Sequence, residues 1–197
     1  MSISHSFNLA TPLSVAEVAD VLDDVARGAG LFDATTTAAD LLTDGVVTGY
    51  GTWIRVFAPD PRPWNPLVTD LRITPTVSVA LRLDKTTDLS GQEDDVVRVV
   101  AHLLDRIPGD AVLQYHYEII WLLRRCGLLS LNQRDDLWPP DRLPLVPHPF
   151  TRETHVLSDE DGPRGHVLPQ RARDAATAPG PEVVPQDSPA HHLRLVR

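Results

Sequence analysis

The sequence is poor in several features that would otherwise direct its reading. A single cysteine, Cys126, excludes an intramolecular disulfide. The opening segment MSISHSFNLA lacks a basic stretch followed by an apolar run, so no secretory leader is expected. No uninterrupted apolar run approaches the roughly 20 residues needed to cross a bilayer, and a cytoplasmic location without membrane contact is expected. A Walker loop, a GxGxxG fingerprint, a nucleophile elbow and an HExxH pair are all missing, which removes the common signatures of phosphate binding, dinucleotide binding, acyl transfer and zinc hydrolysis. Neither a catalytic residue nor a cofactor nor a metal ion is expected.

Aromatic residues are also unevenly placed. Every Phe, Trp and Tyr lies at or before Phe150. Beyond it stand Pro163, Pro169, Pro179, Pro181, Pro185 and Pro189, with few side chains large enough to offset the entropy of ordering a chain. The expected organisation is one domain over residues 1–150 and a disordered, Pro-rich tail over residues 151–197.

What is present is acidic. The net charge is −9, and up to Phe150 the chain holds 12 Lys and Arg against 20 Asp and Glu, so the domain carries −8. Such a surface repels phosphate backbones and anionic lipid, which disfavours nucleic acid and membrane as partners, whereas a basic protein would be steered in. Charge of this size also serves solubility alone.

Hydrophobic periodicity supplies the elements. Ile3, Phe7 and Leu9 alternate with Ser2, Ser4, Ser6 and Asn8, with His5 on the apolar side, as in a half-buried strand. Ser14 and Glu17 have capping-box spacing, and Val15, Val18, Ala19, Leu22, Val25 and Ala26 form one helical stripe opposite Glu17, Asp20, Asp23, Asp24 and Arg27. Residues 46–57 favour a strand, and Val77, Val79, Leu81 and Leu83 alternate strictly with polar or small residues. A second helix is predicted from Ser90 and Glu93, again in capping-box spacing, to Pro108-Gly109. A long strand over residues 113–123 then turns at Cys126-Gly127 into a last strand over residues 128–132. Trp138 and Phe150 should pack on the core from a proline-rich segment.

This order predicts an α+β fold: an antiparallel or mixed sheet of about five strands with two helices on one face. The opposite face would be open, with Ser78, Arg82, Gln114, His116 and Glu118 on it. His116 and Glu118, two residues apart on a strand, could form an acid/base pair or two metal ligands, but a solvated sheet face is the stronger reading, since no third ligand with recognisable spacing accompanies them. Glu93, Asp94 and Asp95 fit the positive end of a helix dipole, and Arg134, Asp135 and Asp136 read as a solvated turn. Together with Asp20, Asp23 and Asp24, these acids could face a basic partner. Cys126 beside Arg124 and Arg125 could be a reactive thiolate, although no partner histidine accompanies it. His191-His192 could bind metal only loosely.

Four runs carry a resemblance: TPTVSVALRLDK (residues 74–85), QEDDVVRVVAHLLDRIPGDAVL (92–113), WLLRR (121–125) and LNQRDDLWPP (131–140). They resemble the Sit-type immunity proteins of bacterial polymorphic-toxin systems, over roughly residues 3–143. The resemblance implies a protein that protects a cell by binding a toxin delivered by its neighbours, without chemistry of its own, and it assigns no binding residue. The expected partner is therefore a cognate protein toxin of basic character, met by Asp20, Asp23, Asp24, Glu93, Asp94, Asp95, His116 and Glu118. Two other readings remain open: a small enzyme or ligand-binding domain using the sheet face around His116 and Glu118, and an adaptor acting through its tail. Oligomeric state is left open.

Overall fold

In the computed structural model, which describes residues 3–158, the alternating start of the chain lies at the centre of the sheet. Strand β1 (Ile3–Ala10) pairs antiparallel with β4 (Val77–Leu83) on one side and β5 (Asp110–Tyr115) on the other. Both neighbours match its period of two: Phe7 stands between Val79 and Leu113, and Asn8 between Ser78 and Val112. The sheet extends outward through β3 (Trp53–Phe57) and β2 (Val46–Val47) on the β4 side. On the other side it continues through β6 (Ile119–Arg125), β7 (Leu128–Leu131) and β8 (Thr151–Arg152). All pairings are antiparallel except β7 with β8.

Two long helices cover one face. Helix α1 (Val15–Gly28) begins in the predicted capping box: Ser14 Oγ accepts from the Glu17 amide at 3.2 Å while Glu17 Oε2 accepts from the Ser14 amide at 2.7 Å. It ends in a Schellman motif, in which the Leu31 amide reaches the Ala26 carbonyl at 2.8 Å and Gly30 adopts φ 71°. Helix α4 (Leu89–Arg106) is pinned at its start by Gln92, whose amide group bonds Thr52 Oγ1 and both backbone groups of Asp84. The stripes Val18, Ala19, Leu22, Val25 and Val96, Val97, Val100, Leu103 close over Phe7, Leu9, Ile54, Val56, Val79, Leu81 and Leu113. Each such large aliphatic or aromatic side chain contributes about 1.5–3 kcal/mol by leaving water, before the entropy of ordering is subtracted. Trp138 is buried in this core and Phe150 packs against it, as the sequence suggests.

Beyond α4 the chain must turn sharply into β5. Gly109 makes the turn at φ 105°, where a Cβ would sit 2.1 Å from the Ala10 carbonyl oxygen, so no other residue fits. Arg124 on β6 donates to the carbonyls of Leu104, Ile107 and Gly109, closing the C-terminal end of α4.

The fold class holds, but the element count is larger than the periodicity implied. The described residues contain eight strands and four α-helices with a 3-10 turn, instead of about five strands and two helices. Residues 46–57 split into β2 and β3 because Gly51, at φ 95°, turns the chain between them. Two short helices were missed, α2 (Ala38–Leu42), started at Thr37, and α3 (Pro66–Thr69), capped by Asn65 with proline at its first turn. Helix α4 is capped by Asp88, which accepts from the Ser90 amide at 3.1 Å, and not by Ser90 with Glu93.

The second face of the sheet is not wholly open. Leu67, Leu71 and Ile73, from α3 and the turn after it, cover Val112, Ile120 and Leu123, and Leu157 packs beside them. Ordered chain therefore passes residue 150: Thr151–Arg152 forms β8, and Ser158 donates to Asp70 Oδ2 at 2.7 Å through its amide. From residue 159 onward the expected tail, with His191-His192, lies outside the described residues.

Candidate functional site

The residues expected to meet a partner fall in three places. In α1, Asp20 is exposed and makes no ion pair, Asp23 pairs with Arg27 at 3.1 Å, and Asp24 pairs with Arg106 of α4. Arg27 also donates to the carbonyls of Asp33 and Thr36, fixing the loop after the helix. Glu17 is committed to the cap, and the Ser14 hydrogen bonds hold its carboxyl below the usual range.

The α4 acids are turned inward, which the helical pattern could not show. Arg142, only 2% exposed, reaches back across 48 residues to Asp94 at 2.6 Å and lies 3.1 Å from Glu93. It donates as well to the Leu137 carbonyl at 2.9 Å and lies over the Trp121 ring at 5.5 Å. Asp95, expected on the surface, is buried and bonds Arg98 one turn on. Burial raises the Glu93 pKa against the opposing pull of Arg142, and burial likewise raises that of Asp95 against Arg98. These three carboxylates organise the domain's own interior rim.

His116 and Glu118 do not share a strand face. The expected long strand is a hairpin, β5 to β6, joined by His116, Tyr117 and Glu118, with His116 and Tyr117 at φ 50° and 65°. The Glu118 amide donates to the Tyr115 carbonyl at 3.1 Å, and the His116 amide to the Ser4 carbonyl at 3.0 Å. The His116 ring stands edge-on to Tyr115, with centroids 4.3 Å apart, and Glu118 is exposed. The geometry that suggested an acid/base or metal-ligand pair is therefore absent. Among the described residues no group of three or more His, Cys, Asp or Glu side chains converges to hold a metal ion. Cys126 and Gly127 do form the β6–β7 turn, both at positive φ, with the Cys126 amide on Asp110 Oδ1 at 2.8 Å. Arg124 points away, into the α4 carbonyls.

Among the described residues one histidine is buried. His5 lies between Tyr115 and Trp121, with ring centroids 5.3 and 4.8 Å away, and its two ring nitrogens have no hydrogen-bond partner among the described residues. Burial, together with the positive neighbours His116 and Arg142, lowers its pKa to about 4.

The part of the second face left uncovered by α3 has a different composition. Residues alternate with the core positions of the same strands: Trp53, Arg55 and Phe57 on β3; Ser78, Ala80 and Arg82 on β4; Ser4, Ser6 and Asn8 on β1; Gln114 on β5. Asn8 organises the floor, accepting from Ser78 Oγ at 2.7 Å and donating to Gln114 Oε1 at 3.1 Å and Ser6 Oγ at 3.2 Å. Arg82 lies over the Trp53 ring at 4.8 Å, and the Trp53 indole donates to the Asp44 carbonyl at 2.9 Å. Arg55, Arg82 and Phe57 are exposed, as are Trp64 in the loop toward α3 and Tyr117 at the hairpin tip. Of these, only Arg82 was placed on this face from sequence.

A family model described as SitI3-like matches residues 3–142, from the start of β1 to Arg142. The chain belongs to the SitI3-like family. The match spans the sheet as far as β7 and both long helices, and it stops at the arginine that ties the last loop to α4. No curated protein and no solved structure matches this SitI3-like chain. Among the described residues no helix is long and apolar enough to cross a membrane.

Proposed function

We propose that this SitI3-like protein is a non-enzymatic immunity protein that binds and neutralises a cognate bacterial toxin inside the cell. Family membership over residues 3–142 is the observation that carries the reading. The domain's charge adds a kinetic element: an acidic body speeds the approach of a basic toxin whatever surface finally makes the contact. Asp20 and Asp24 on α1 are the acids best placed for this, because both are exposed, Asp24 even in its pair with Arg106, whereas Glu93, Asp94 and Asp95 are partly or fully buried against Arg142 and Arg98.

The test is co-expression with the toxin encoded beside this gene, combined with binding rates measured on the purified pair. Cells should survive the toxin only when this chain is present. Association should slow between low and physiological salt, and slow further in an Asp20→Lys/Asp24→Lys variant, with dissociation little changed. Failure to protect, together with no measurable complex, would remove the immunity reading. Protection with salt-independent association would leave immunity standing and remove the steering.

A further inference from the structure

We infer that the exposed part of the second face, formed by Arg55 and Phe57 on β3 and Arg82 on β4, is a docking surface for an acidic polypeptide segment. The inference rests on the immunity reading in one respect, that the segment belongs to the toxin. It differs from the steering argument in sign: a long-range acidic field brings the partner in, while a local basic patch holds it.

The first observation is a charge without a counter-charge. The strand residues of this face, Trp53, Arg55, Phe57, Ser78, Ala80, Arg82, Ser6, Asn8 and Gln114, include two guanidinium groups and no carboxylate, in a domain with 20 acids before Phe150. Trp53 is paired with Arg82 and Arg55 with Ala80, so the two arginines are diagonal neighbours on adjacent strands, about 7 Å apart. Most other arginines of the domain have carboxylate or carbonyl partners: Arg27, Arg98, Arg106, Arg124, Arg134, Arg142 and Arg152. Among the described residues Arg55 has no hydrogen bond or ion pair, and Arg82 has only the Trp53 ring. Two like charges on adjacent strands repel each other.

The second observation is pre-organisation. Trp53 is held by the Asp44 carbonyl and in turn underlies the exposed Arg82 guanidinium, whose carbon lies 4.8 Å from the ring centroid. A planar guanidinium fixed in this way matches the two oxygens of a carboxylate. Behind the arginines, Ser6, Asn8, Ser78 and Gln114 form a buried, hydrogen-bonded layer on the same face. Exposed Phe57 borders it, giving the arginine and aromatic content that binding surfaces concentrate. A nucleic acid fits less well: only two cations are offered to a backbone that carries a charge at every phosphate.

The experiment compares wild type with Arg55→Glu/Arg82→Glu, using the full chain, after confirming equal melting temperatures. Toxin affinity should fall about 30-fold or more, mostly through faster dissociation. Equal affinity would overturn the docking surface and leave the immunity reading intact. Should the double variant fail to fold, Arg55→Glu alone serves, since Arg55 has no polar partner among the described residues. Should wild type not bind the toxin, the immunity reading fails separately, and a second arm decides the surface. Poly-L-glutamate is titrated while the Trp53 indole and arginine side-chain signals are followed by NMR, with oligo-dT of equal charge as control. Shifts confined to Trp53, Arg55 and Arg82 with poly-L-glutamate, lost in the variant, would support the proposal; no shifts, or tighter binding of the oligonucleotide, would overturn it.

Discussion

The two faces of the sheet are made from the same strands yet obey different rules. On the helix-covered face, Phe7, Leu9, Val79, Leu81 and Leu113 are enclosed by α1 and α4, and the buried Arg142 is engaged at its rim with Glu93 and Asp94. On the uncovered half of the second face, the side chains that reach outward are Arg55, Arg82 and Phe57, over a thin polar layer anchored by Asn8. The difference separates stability from recognition. Substitutions on the first face should unfold the protein, whereas those on the second should leave it folded and change what it binds.

The sharpest test of that separation is Trp121→Ala. Trp121 is 1% exposed, in contact with His5, Trp138 and Arg142, and its removal should cost about 3–5 kcal/mol in denaturant unfolding. Arg142→Ala should cost about 3 kcal/mol or more, because it leaves Glu93 and Asp94 without their cation at a half-buried rim. A loss below 1 kcal/mol for both would show that this face does not hold the domain together.

Acid should act through the same cluster. The folded pKa of His5 lies near 4, below its unfolded value of 6.5, so the unfolded state binds the extra proton between those values. The contribution of His5 is thus complete above pH 6.5 and is lost progressively as pH falls toward 4, by about 3 kcal/mol at most. Glu93 and Asp95 act in the opposite sense: their folded pKa values are raised, so the cost of keeping them ionised is relieved on acidification. His5→Phe should flatten the decline between pH 6.5 and 4 in urea melts, and an unchanged slope would place the acid sensitivity elsewhere.

Smaller effects complete the comparison. Ser14→Ala should destabilise by about 1 kcal/mol through loss of the α1 cap, read as a lower urea midpoint with unchanged slope. Arg55→Ala/Arg82→Ala should stay within about 0.5 kcal/mol of wild type, because neither side chain has a polar partner in the fold. A larger loss would mean that the second face is also structural.

Much of the first face was legible because its signals are local or strictly periodic. The Ser14–Glu17 box and the alternation over residues 77–83 needed no partner to be recognised. The β5–β6 hairpin was not, because alternation continues through Tyr115, His116, Tyr117 and Glu118, and the turn lacks the Gly or Asn that usually supplies positive φ. Helix α3 carried a readable cap in Asn65-Pro66, hidden among prolines that resembled a featureless loop. The second face was only half legible: periodicity puts Arg82 opposite the core, but that it lies beside Trp53 and near Arg55 depends on a pairing between strands some 25 residues apart. The inward turn of Glu93 and Asp94 had no sequence signal, since the arginine responsible lies in a loop 48 residues downstream of Asp94.

The division between a structural face and a recognition face is tested most directly by hydroxyl-radical footprinting of the complex with the toxin encoded beside this gene. The account predicts that Trp53 and Phe57 lose reactivity on complex formation while Leu13, Val15 and Val21 of the α1 region keep theirs. Protection of the α1 positions with Trp53 and Phe57 unchanged would contradict it.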